Sequence, residues 1–563
     1  MLVILDDGPR RVFSAPSALI RADQAGEVPA ALAALEAALA RGCHVAGWLG
    51  YELGYALETR LTGGGVPRPL LRLGVFGPPE RTAPAAAGRA YAGPLSPEWD
   101  QAQYAARFGR VKEAIAAGDI YQANLSFRSR FAFAGEPLAL YEHLLARSGA
   151  GHCAFVHDGE RQILSLSPEL FFDLAADGQI TARPMKGTAP RNGDDSAERA
   201  ALAASDKDRA ENLMIVDLIR NDLSRIAQGG SVEVSGLFQV ETYPTLHAMV
   251  STVTARKRQD AGAADILRAL FPCGSVTGAP KIRAMEILRE LETSPRGAYC
   301  GAIGHFAPPP NGGGISARFN VAIRTLTISS QKGELGIGGG VVQDSRGQSE
   351  YAECLLKARF FETARRPLEL IETLRFESGF VRLDSHLARM AHSASVFGLA
   401  FDRNAARAAL EKAVAGRRPP LRVRLTLNEA GRHDAVAHDL SPTPSHWTYA
   451  ISPHRVDSRD VLLRHKTNWR ELYEDEVKRL GTDEVIFRNE RGEITEGARS
   501  NIFVARERIF LTPPLDAGLL DGRLRTELIA KGRAREAVLT PEDLKGEVYF
   551  GNSLRGLIPA SPA

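Results

Sequence analysis

Lys186 stands in an unusual setting in ITARPMKGTAPR, residues 180–191, between Pro184-Met185 and Gly187-Thr188, with Arg183 and Arg191 on either side and a strand ending around it. An exposed loop ammonium does no chemistry. An amine kept partly neutral can act as a nucleophile, and burial or the two neighbouring guanidinium groups would favour that form. Two acidic pairs carry a second chemistry. Asp208 and Glu211, in SDKDRAENLMIVDLIRNDLSRIA, and Glu350 and Glu353, in GQSEYAECLLKARFF, are each spaced i, i+3, so each pair shares one face of a helix. Two such helices brought together could surround a hard cation that keeps several waters and touches an anionic substrate, which is the habit of Mg²⁺. Taken singly, either pair also reads as first-turn acids that complement a helix dipole.

These groups need elements to position them. In the first acidic stretch Ile215, Leu218, Ile219, Leu223 and Ile226 recur at helical spacing, and Gly229-Gly230 is expected to stop the helix; in the second, Leu355 and Ala358 are expected to form the buried face. CGSVTGAPKIRAMEILREL (273–291) reads as a Gly-rich loop followed by a helix opening at Pro280, whose free N–H groups suit a carboxylate. It does not fit the G-x-x-x-x-G-K-[ST] phosphate loop. GIGGGVV (336–342) either lets backbone approach a ligand or marks a strand bulge. FNVAIRTL places Arg324 at the polar position of an otherwise apolar strand, where a buried guanidinium requires an anion. VPAALAALEAALA (28–40) reads as an alanine-rich amphipathic helix and PPPNGGG (308–314) as a loop or hairpin insertion. Near ETARRP (362–367) a fresh strand, Gly379 turn and helix begin, which suggests two domains, 1–364 and 365–563.

The composition is that of a globular chain: 44% hydrophobic and 24% charged over 563 residues. A formal charge of +3 from 70 basic and 67 acidic residues argues against a nucleic-acid face. No apolar run approaches the roughly 20 residues a membrane span needs. MLVILDDGPRRVF carries acids where a secretory signal carries bases, so no export is expected. Cys43, Cys153, Cys273, Cys300 and Cys354 are scattered with no C-x-x-C pair, as expected of reduced thiols in a cytoplasmic protein.

In order along residues 1–362, GDIYQANLS (118–126), SLSPELFF (165–172), RPMKGTAPR (183–191), DRAENLMIVDLIRNDL (208–223), FPCGSVTGAPKIRAMEIL (271–288), GAYCGAIG (297–304), AIRT (322–325) and GIGGGVVQDS with EYAECLLKA (336–358) resemble the chorismate-utilising enzymes. The resemblance implies packed β-sheets with surrounding helices. Members forming anthranilate or isochorismate carry alanine in the Pro-x-x-Gly-Thr motif, and the aminodeoxychorismate branch carries lysine, as Lys186 does here. It follows from the resemblance that Lys186 attacks C2 of chorismate while ammonia enters at C4. Glu169 would be the acid for the departing hydroxyl and His247 would lie near the ring. Glu211 and Glu353 would hold Mg²⁺, supported by Asp208 and Glu350, although the family usually has glutamate where Asp208 stands. Thr188, Tyr299, Arg324 and the backbone of Gly338, Gly339 and Gly340 would hold the substrate. Without the resemblance, Glu169 reads as a strand-end carboxylate and His247 as a core histidine. No G-x-C-x-G elbow with a following His-x-Glu is present, so a separate glutamine amidotransferase subunit, or free ammonia, is the implied nitrogen source.

Over residues 368–560, HLARM, HKTNWR, EITEGARSNIF, LTPPLDAGLLDGRLR and GNSLRG resemble the class IV aminotransferase and aminodeoxychorismate lyase family. The resemblance implies a two-lobed α/β domain of fold type IV that uses pyridoxal phosphate. Lys466 would carry the cofactor, Glu496 would face its pyridinium nitrogen, and Arg389 would hold the phosphate with Ser500, Asn501 and the Gly522 loop. Many members read G-[IV]-T-R where this chain has GRLR, so Leu524 offers no hydroxyl. Arg555 would be a carboxylate partner. The two halves together imply a bifunctional route from chorismate to p-aminobenzoate and pyruvate, for folate, with a homodimer through the second domain. The alternatives are a second half with another aminotransferase specificity, an anthranilate-forming first half, or a half retained for assembly alone.

Overall fold

The computed structural model describes residues 1–61, 69–191, 193–243, 246–309 and 314–563, so most of the loop expected at 308–314 lies outside the described residues. Two compact units result. The first comprises Met1–Pro84, Leu95–Phe131 and Tyr141–Ala364; the second comprises Ala85–Pro94, Ala132–Leu140 and Arg365–Ala563. Two short pieces of the N-terminal half thus belong to the second unit. Tyr91 explains one of them: its ring meets Phe397 edge-on at 5.3 Å and its hydroxyl donates to Glu429 at 3.0 Å, inside the second unit's core.

The first unit is built on two antiparallel sheets. In one, the strand order is Met185–Pro190, Leu246–Arg256, Gln179–Arg183, Leu170–Leu174, Ser316–Val321, Ala302–Ala307, His44–Leu49, Leu71–Phe76 and Ala18–Ala22. In the other, Gln122–Gly135, Lys332–Val341, Thr325–Ser329, Gln162–Ser167, His152–His157, Leu2–Asp6 and Arg11–Phe13 follow one another. Strand alternation divides the cores. Ala46 and Trp48 face Val3, Leu5, Val156 and Ile163 of the second sheet, while Val45 and Leu49 turn to the opposite core, which the helices Val28–Ala40, Asp206–Ser224 and Ala263–Leu270 complete through Leu35, Ile215 and Ile266.

The helix Asp206–Ser224 starts at Ser205, whose hydroxyl accepts the Asp208 N–H at 3.3 Å. It ends short of Gly229-Gly230, because the chain has already turned extended where Ala227 pairs with Lys257. The helix Gly347–Lys357 does not bury Leu355, which is 38% exposed; Glu350 and Cys354 occupy its inner face. Arg324 is not within a strand. It lies between Ser316–Val321 and Thr325–Ser329, at φ +49°, where the chain passes from one sheet to the other.

The second unit has two lobes, and the whole fold is mixed α+β. In one lobe Glu369–Phe376, Leu421–Asn428 and His433–Asp439 form an antiparallel sheet packed on the helices Leu383–Phe397 and Arg403–Val414. In the other, a mixed sheet places Trp447–Val456 parallel to both Glu484–Asn489 and Gly556–Pro562.

Candidate active sites

A bulge carries Lys186 into the first site. Met185 faces Val250 and Thr188 faces Ala248, three steps against two, so the strand Met185–Pro190 holds one extra residue and the alternation of its side chains breaks there. Gly187 takes φ +85°, and a Cβ on it would lie 2.8 Å from Asp208 Cβ. Opposite, the glycine run belongs to the strand Lys332–Val341. A Cβ on Gly340 would lie 3.3 Å from Lys186 Nζ, one on Gly338 2.4 Å from Ser126 Oγ, and one on Gly336 2.1 Å from the Tyr299 ring. Gly339 faces Glu350, with 3.5 Å between its Cβ position and Oε2. The run makes room for neighbours.

Between these walls is a cavity of about 300 Å³, lined by Glu169, Lys186, Thr188, Tyr299, Arg324, Gly338 and Gly340 together with Asp208, Glu211, Glu350 and Glu353. Both acidic pairs therefore face one space. Glu169 sits where the chain crosses from the strand Gln162–Ser167 to Leu170–Leu174, and Ser275 Oγ donates to its Oε1 at 2.7 Å. Burial pushes the Glu169 carboxyl up to about 7, against the opposing pull of Ser275 and Lys186. Burial lowers the Lys186 pKa; Glu211 and Glu169 oppose that shift and Lys357 adds to it. The flanking arginines do not contribute as expected, because each has a carboxylate of its own: Arg183 pairs with Glu241 and Arg191 with Asp195.

Burial raises Glu211 against the opposing pull of Lys186 and of Lys207, whose Nζ lies 3.9 Å away. Glu350 accepts from Ser345 Oγ at 2.7 Å, and Glu353 pairs with Lys357 Nζ at 2.9 Å. This oxygen-rich, under-compensated wall fits a cation such as Mg²⁺ that retains water. Arg324 has no carboxylate partner among the described residues, and burial lowers its pKa, so an anion entering the cavity would be its first. His247 does not line the cavity. It pairs with Ala189, out of phase with Thr188 and Ala248, and is wholly buried with Nδ1 3.0 Å from Thr242 Oγ1.

The second site gathers around Lys466. Its segment is tied to the strand Glu369–Phe376 by the Ile371 N–H, which donates to the Lys466 carbonyl at 2.8 Å. Burial, then Arg470 and Arg389, lower the amine to about 7. Glu496 is raised to about 7 by burial, and its oxygens accept from Tyr473 Oη at 3.0 Å and from the Leu520 N–H at 3.2 Å. Arg389 donates twice to buried Glu372, at 2.8 and 2.6 Å, and once to the Asp521 carbonyl at 2.8 Å, which leaves a second hydrogen on each terminal nitrogen. Asn501 Nδ2 donates to the Leu520 carbonyl at 3.0 Å, and a Cβ on Gly522 would lie 1.8 Å from Asn501 Oδ1. Ser500 Oγ accepts from Asn552 Nδ2 at 3.1 Å. A glycine-floored loop with a spare guanidinium face, a buried near-neutral lysine and a buried carboxyl fits pyridoxal phosphate. Leu524 is buried and offers no hydroxyl; Arg555 is held on the Ser441 and Pro442 carbonyls at 3.3 and 3.1 Å.

Residues 5–363 match the family model described as chorismate binding enzyme. The chain belongs to that family. Residues 369–562 match the model described as amino-transferase class IV, a class that uses pyridoxal phosphate. Aminodeoxychorismate synthase component 1 of Salmonella typhimurium is 46% identical over 258 residues, which is 45% of this chain and 55% of that protein. Its Escherichia coli counterpart is 42% identical over 285 residues, 49% of this chain and 60% of that protein. The chain thus spans little more than half the length of these relatives. The crystal structure of anthranilate synthase component I from Streptococcus pneumoniae matches with a TM-score of 0.50 at 27% identity, over 56% of this chain and 80% of that one.

Within this chorismate binding enzyme, sequence reasoning missed four side chains. Ser275 holds Glu169. Gln122 is wholly buried, both polar atoms of its amide lack a hydrogen bond among the described residues, and its Nε2 lies 3.0 Å from the Cβ position of Gly340, beside Lys186. Lys357 bridges Glu353 and the Gly338 carbonyl, the latter at 3.1 Å. Arg523 lies close enough to Arg389 to lower its own pKa, after burial. Ser275 and Gln122 stand inside motifs already quoted, but a serine or an amide announces no chemistry until its neighbour is known.

Proposed function

We propose that the first unit aminates chorismate at C4 and that the second converts the product to p-aminobenzoate and pyruvate, with residues 1–364 and 365–563 carrying the two activities. The observation that supports this most directly is Lys186: an amine depressed by burial, set beside a carboxyl raised to about 7 in a cavity that also holds four acidic side chains and a guanidinium with no carboxylate partner among the described residues. Lys186 Nζ forms a bond to C2 while the C4–O bond breaks across the ring, and Glu169 protonates the departing hydroxyl, which leaves as water. Ammonia then bonds to C4, and the C2–Nζ bond breaks to return the lysine. Arg324, Tyr299, Thr188 and the Gly338–Gly340 backbone orient the carboxylates. Glu211 and Glu353, with Asp208 and Glu350, would hold Mg²⁺, which supplies positive charge beside the anionic substrate. The geometry gives His247 no contact with this chemistry.

In the second unit Lys466 and Glu496 would hold pyridoxal phosphate at its two ends, with Arg389, Ser500, Asn501 and the Gly522 loop at the phosphate. The cofactor supplies an electron sink. Lys466 Nζ, poised near neutrality, takes the proton from C4 of the aminated product as the C3–O bond breaks and the ring becomes aromatic. Arg555 would steer a carboxylate. The ammonia would come from a separate glutamine amidotransferase or from solution, the second unit would form the dimer contact, and the scattered thiols suit the cytoplasm. No described helix is long and apolar enough to cross a membrane.

The test is to incubate the purified chain with chorismate, Mg²⁺, pyridoxal phosphate and ammonium, and to identify the products by mass. p-Aminobenzoate with pyruvate supports both halves. Aminodeoxychorismate alone overturns the lyase assignment, and anthranilate overturns the role given to Lys186.

A further inference from the structure

Behind Ser500 in the second unit stands a carboxyl that no ion pair explains. Glu484 opens the strand Glu484–Asn489, is wholly buried, and pairs with no lysine or arginine among the described residues. Its Oε1 accepts two backbone N–H groups, from Arg499 at 3.0 Å and from Val485 at 3.4 Å, while its Oε2 makes no hydrogen bond. The side chain is held in place, since a Cβ on Gly497 would lie 3.0 Å from both Glu484 Cγ and Cδ. Burial pushes this carboxyl up to about 7; the Ser500 hydroxyl is the largest influence against that shift, and the exposed Arg499 guanidinium acts less.

A buried carboxyl without a cation keeps its proton. With Oε1 occupied as an acceptor, that proton belongs on Oε2, where it needs an acceptor of its own. Asn552 is arranged in the same way. Its Oδ1 accepts from the Leu554 and Arg555 N–H groups at 3.1 and 2.9 Å, which fixes the amide and leaves Nδ2 to donate to Ser500 Oγ at 3.1 Å. Each of the two side chains is thus anchored at one oxygen by a pair of backbone donors and has a donor at its other end. A serine hydroxyl has two lone pairs and one hydrogen. Two donors on Oγ fill the lone pairs and drive the hydrogen toward a third group.

We propose that Glu484 is a positioning residue that acts in its protonated form: together with Asn552 it fills both lone pairs of Ser500 Oγ, so that the serine hydrogen is committed as a donor to the phosphate of the cofactor. This rests on the reading of Ser500 as a phosphate contact and adds what sets the direction of that contact. An ionised Glu484 would do the reverse, drawing the serine hydrogen onto Oε2 and presenting a lone pair to an anion. The direction matters in this chain because Leu524 brings no hydroxyl to the phosphate loop.

Pyridoxine 5′-phosphate is the probe, because it carries the phosphate but no aldehyde for Lys466. Its binding to the full, cofactor-free chain is measured by calorimetry slightly below neutral pH, and the phosphorus resonance of the bound ligand is recorded by NMR. Ser500→Ala should weaken binding about tenfold, the loss of one hydrogen bond to a charged group. Glu484→Leu should weaken it several-fold and move the phosphorus resonance toward its position in Ser500→Ala. Glu484→Gln, whose amide supplies an acceptor and a donor in the same two places, should restore both affinity and resonance. In a Ser500→Ala background Glu484→Leu should add nothing. If Glu484→Leu does not fold, Glu484→Gln alone decides. Glu484→Leu binding as the wild type does, Glu484→Gln losing as much as Ser500→Ala, a Glu484→Leu loss that persists in the Ser500→Ala background, or Ser500→Ala without a loss would each overturn the proposal. A wild-type chain that does not bind the probe at all would instead sink the cofactor site itself, and the proposal with it.

Discussion

Ser275→Ala isolates the acid role of Glu169. The serine hydroxyl donates to Oε1 at 2.7 Å, and a donor to a carboxylate favours the anion. A hydrogen bond to a charged group contributes about 1.5–3 kcal/mol. The protonated acid keeps a weaker bond to the same hydroxyl, so the difference lost is about 1.4 kcal/mol, or about one pKa unit. Glu169 would then titrate about one unit above its present value of about 7. The sign is fixed by the role: an acid works while protonated, so activity is present below its pKa and lost above it. Ser275→Ala should therefore lower the plateau rate, through poorer orientation, while carrying the alkaline limb of the pH–rate profile upward by about one unit. Lys186 must be neutral and governs the opposite limb. By linkage, the raised Glu169 pKa also stabilises the fold below the unfolded-state value of 4.5, and that contribution fades as pH rises through about 7. The assay is the initial rate of C4 amination at constant free ammonia, so that ammonia's own titration does not shape the curve. Ser275→Thr, which keeps the hydroxyl, should restore the limb. An alkaline limb unmoved in folded Ser275→Ala would refute the assignment of Glu169.

Lys186→Ala should abolish C4 amination while leaving chorismate binding, measured by calorimetry, within a few-fold; retained p-aminobenzoate output would remove the lysine from the mechanism. Glu211→Gln should raise the Mg²⁺ concentration needed for half-maximal amination by at least tenfold, and an unchanged Mg²⁺ curve would take Glu211 out of the metal set. Glu372→Gln leaves the buried Arg389 guanidinium without its anion, a loss of about 3–5 kcal/mol for a broken buried pair. Urea unfolding should show it, and uptake of pyridoxal phosphate followed by absorbance should weaken in parallel.

Sequence made the chemistry legible wherever residue type and local pattern coincide. Asp208 with Glu211 and Glu350 with Glu353 were visible as pairs because helical spacing is local. What was not legible was long-range. The bulge that turns Lys186 inward is a mismatch with a strand some 60 residues away. Ser275 reaches Glu169 across a loop that only the fold brings near. Arg324 read as a strand residue because apolar neighbours flank it, yet those neighbours belong to two different sheets. The segments 85–94 and 132–140 carry no compositional sign of belonging to the second unit; Tyr91 became a core residue there through partners more than 300 positions distant.

The two sites share one physical device, keeping a lysine and a carboxylic acid out of the ion pair they would form in water. Burial pushes both Glu169 and Glu496 up to about 7, brings Lys466 down to about 7, and lowers Lys186, although the charge attraction within each pair opposes the shift. Loss of hydration outweighs that attraction, and neighbouring cations then decide how readily each lysine stays neutral: Lys357 beside Lys186, Arg470 and Arg389 beside Lys466. Arg470 is the larger charge effect on Lys466 and also lies over the Tyr473 ring, 4.8 Å from its centroid. Arg470→Met keeps the bulk and removes the charge. Lys466 should then titrate above about 7, and because only the neutral amine attaches pyridoxal phosphate, uptake by the cofactor-free chain should slow at neutral pH and recover at higher pH. Uptake whose pH midpoint matches the wild type would mean that burial alone sets the lysine, and the cation argument would fail at both sites.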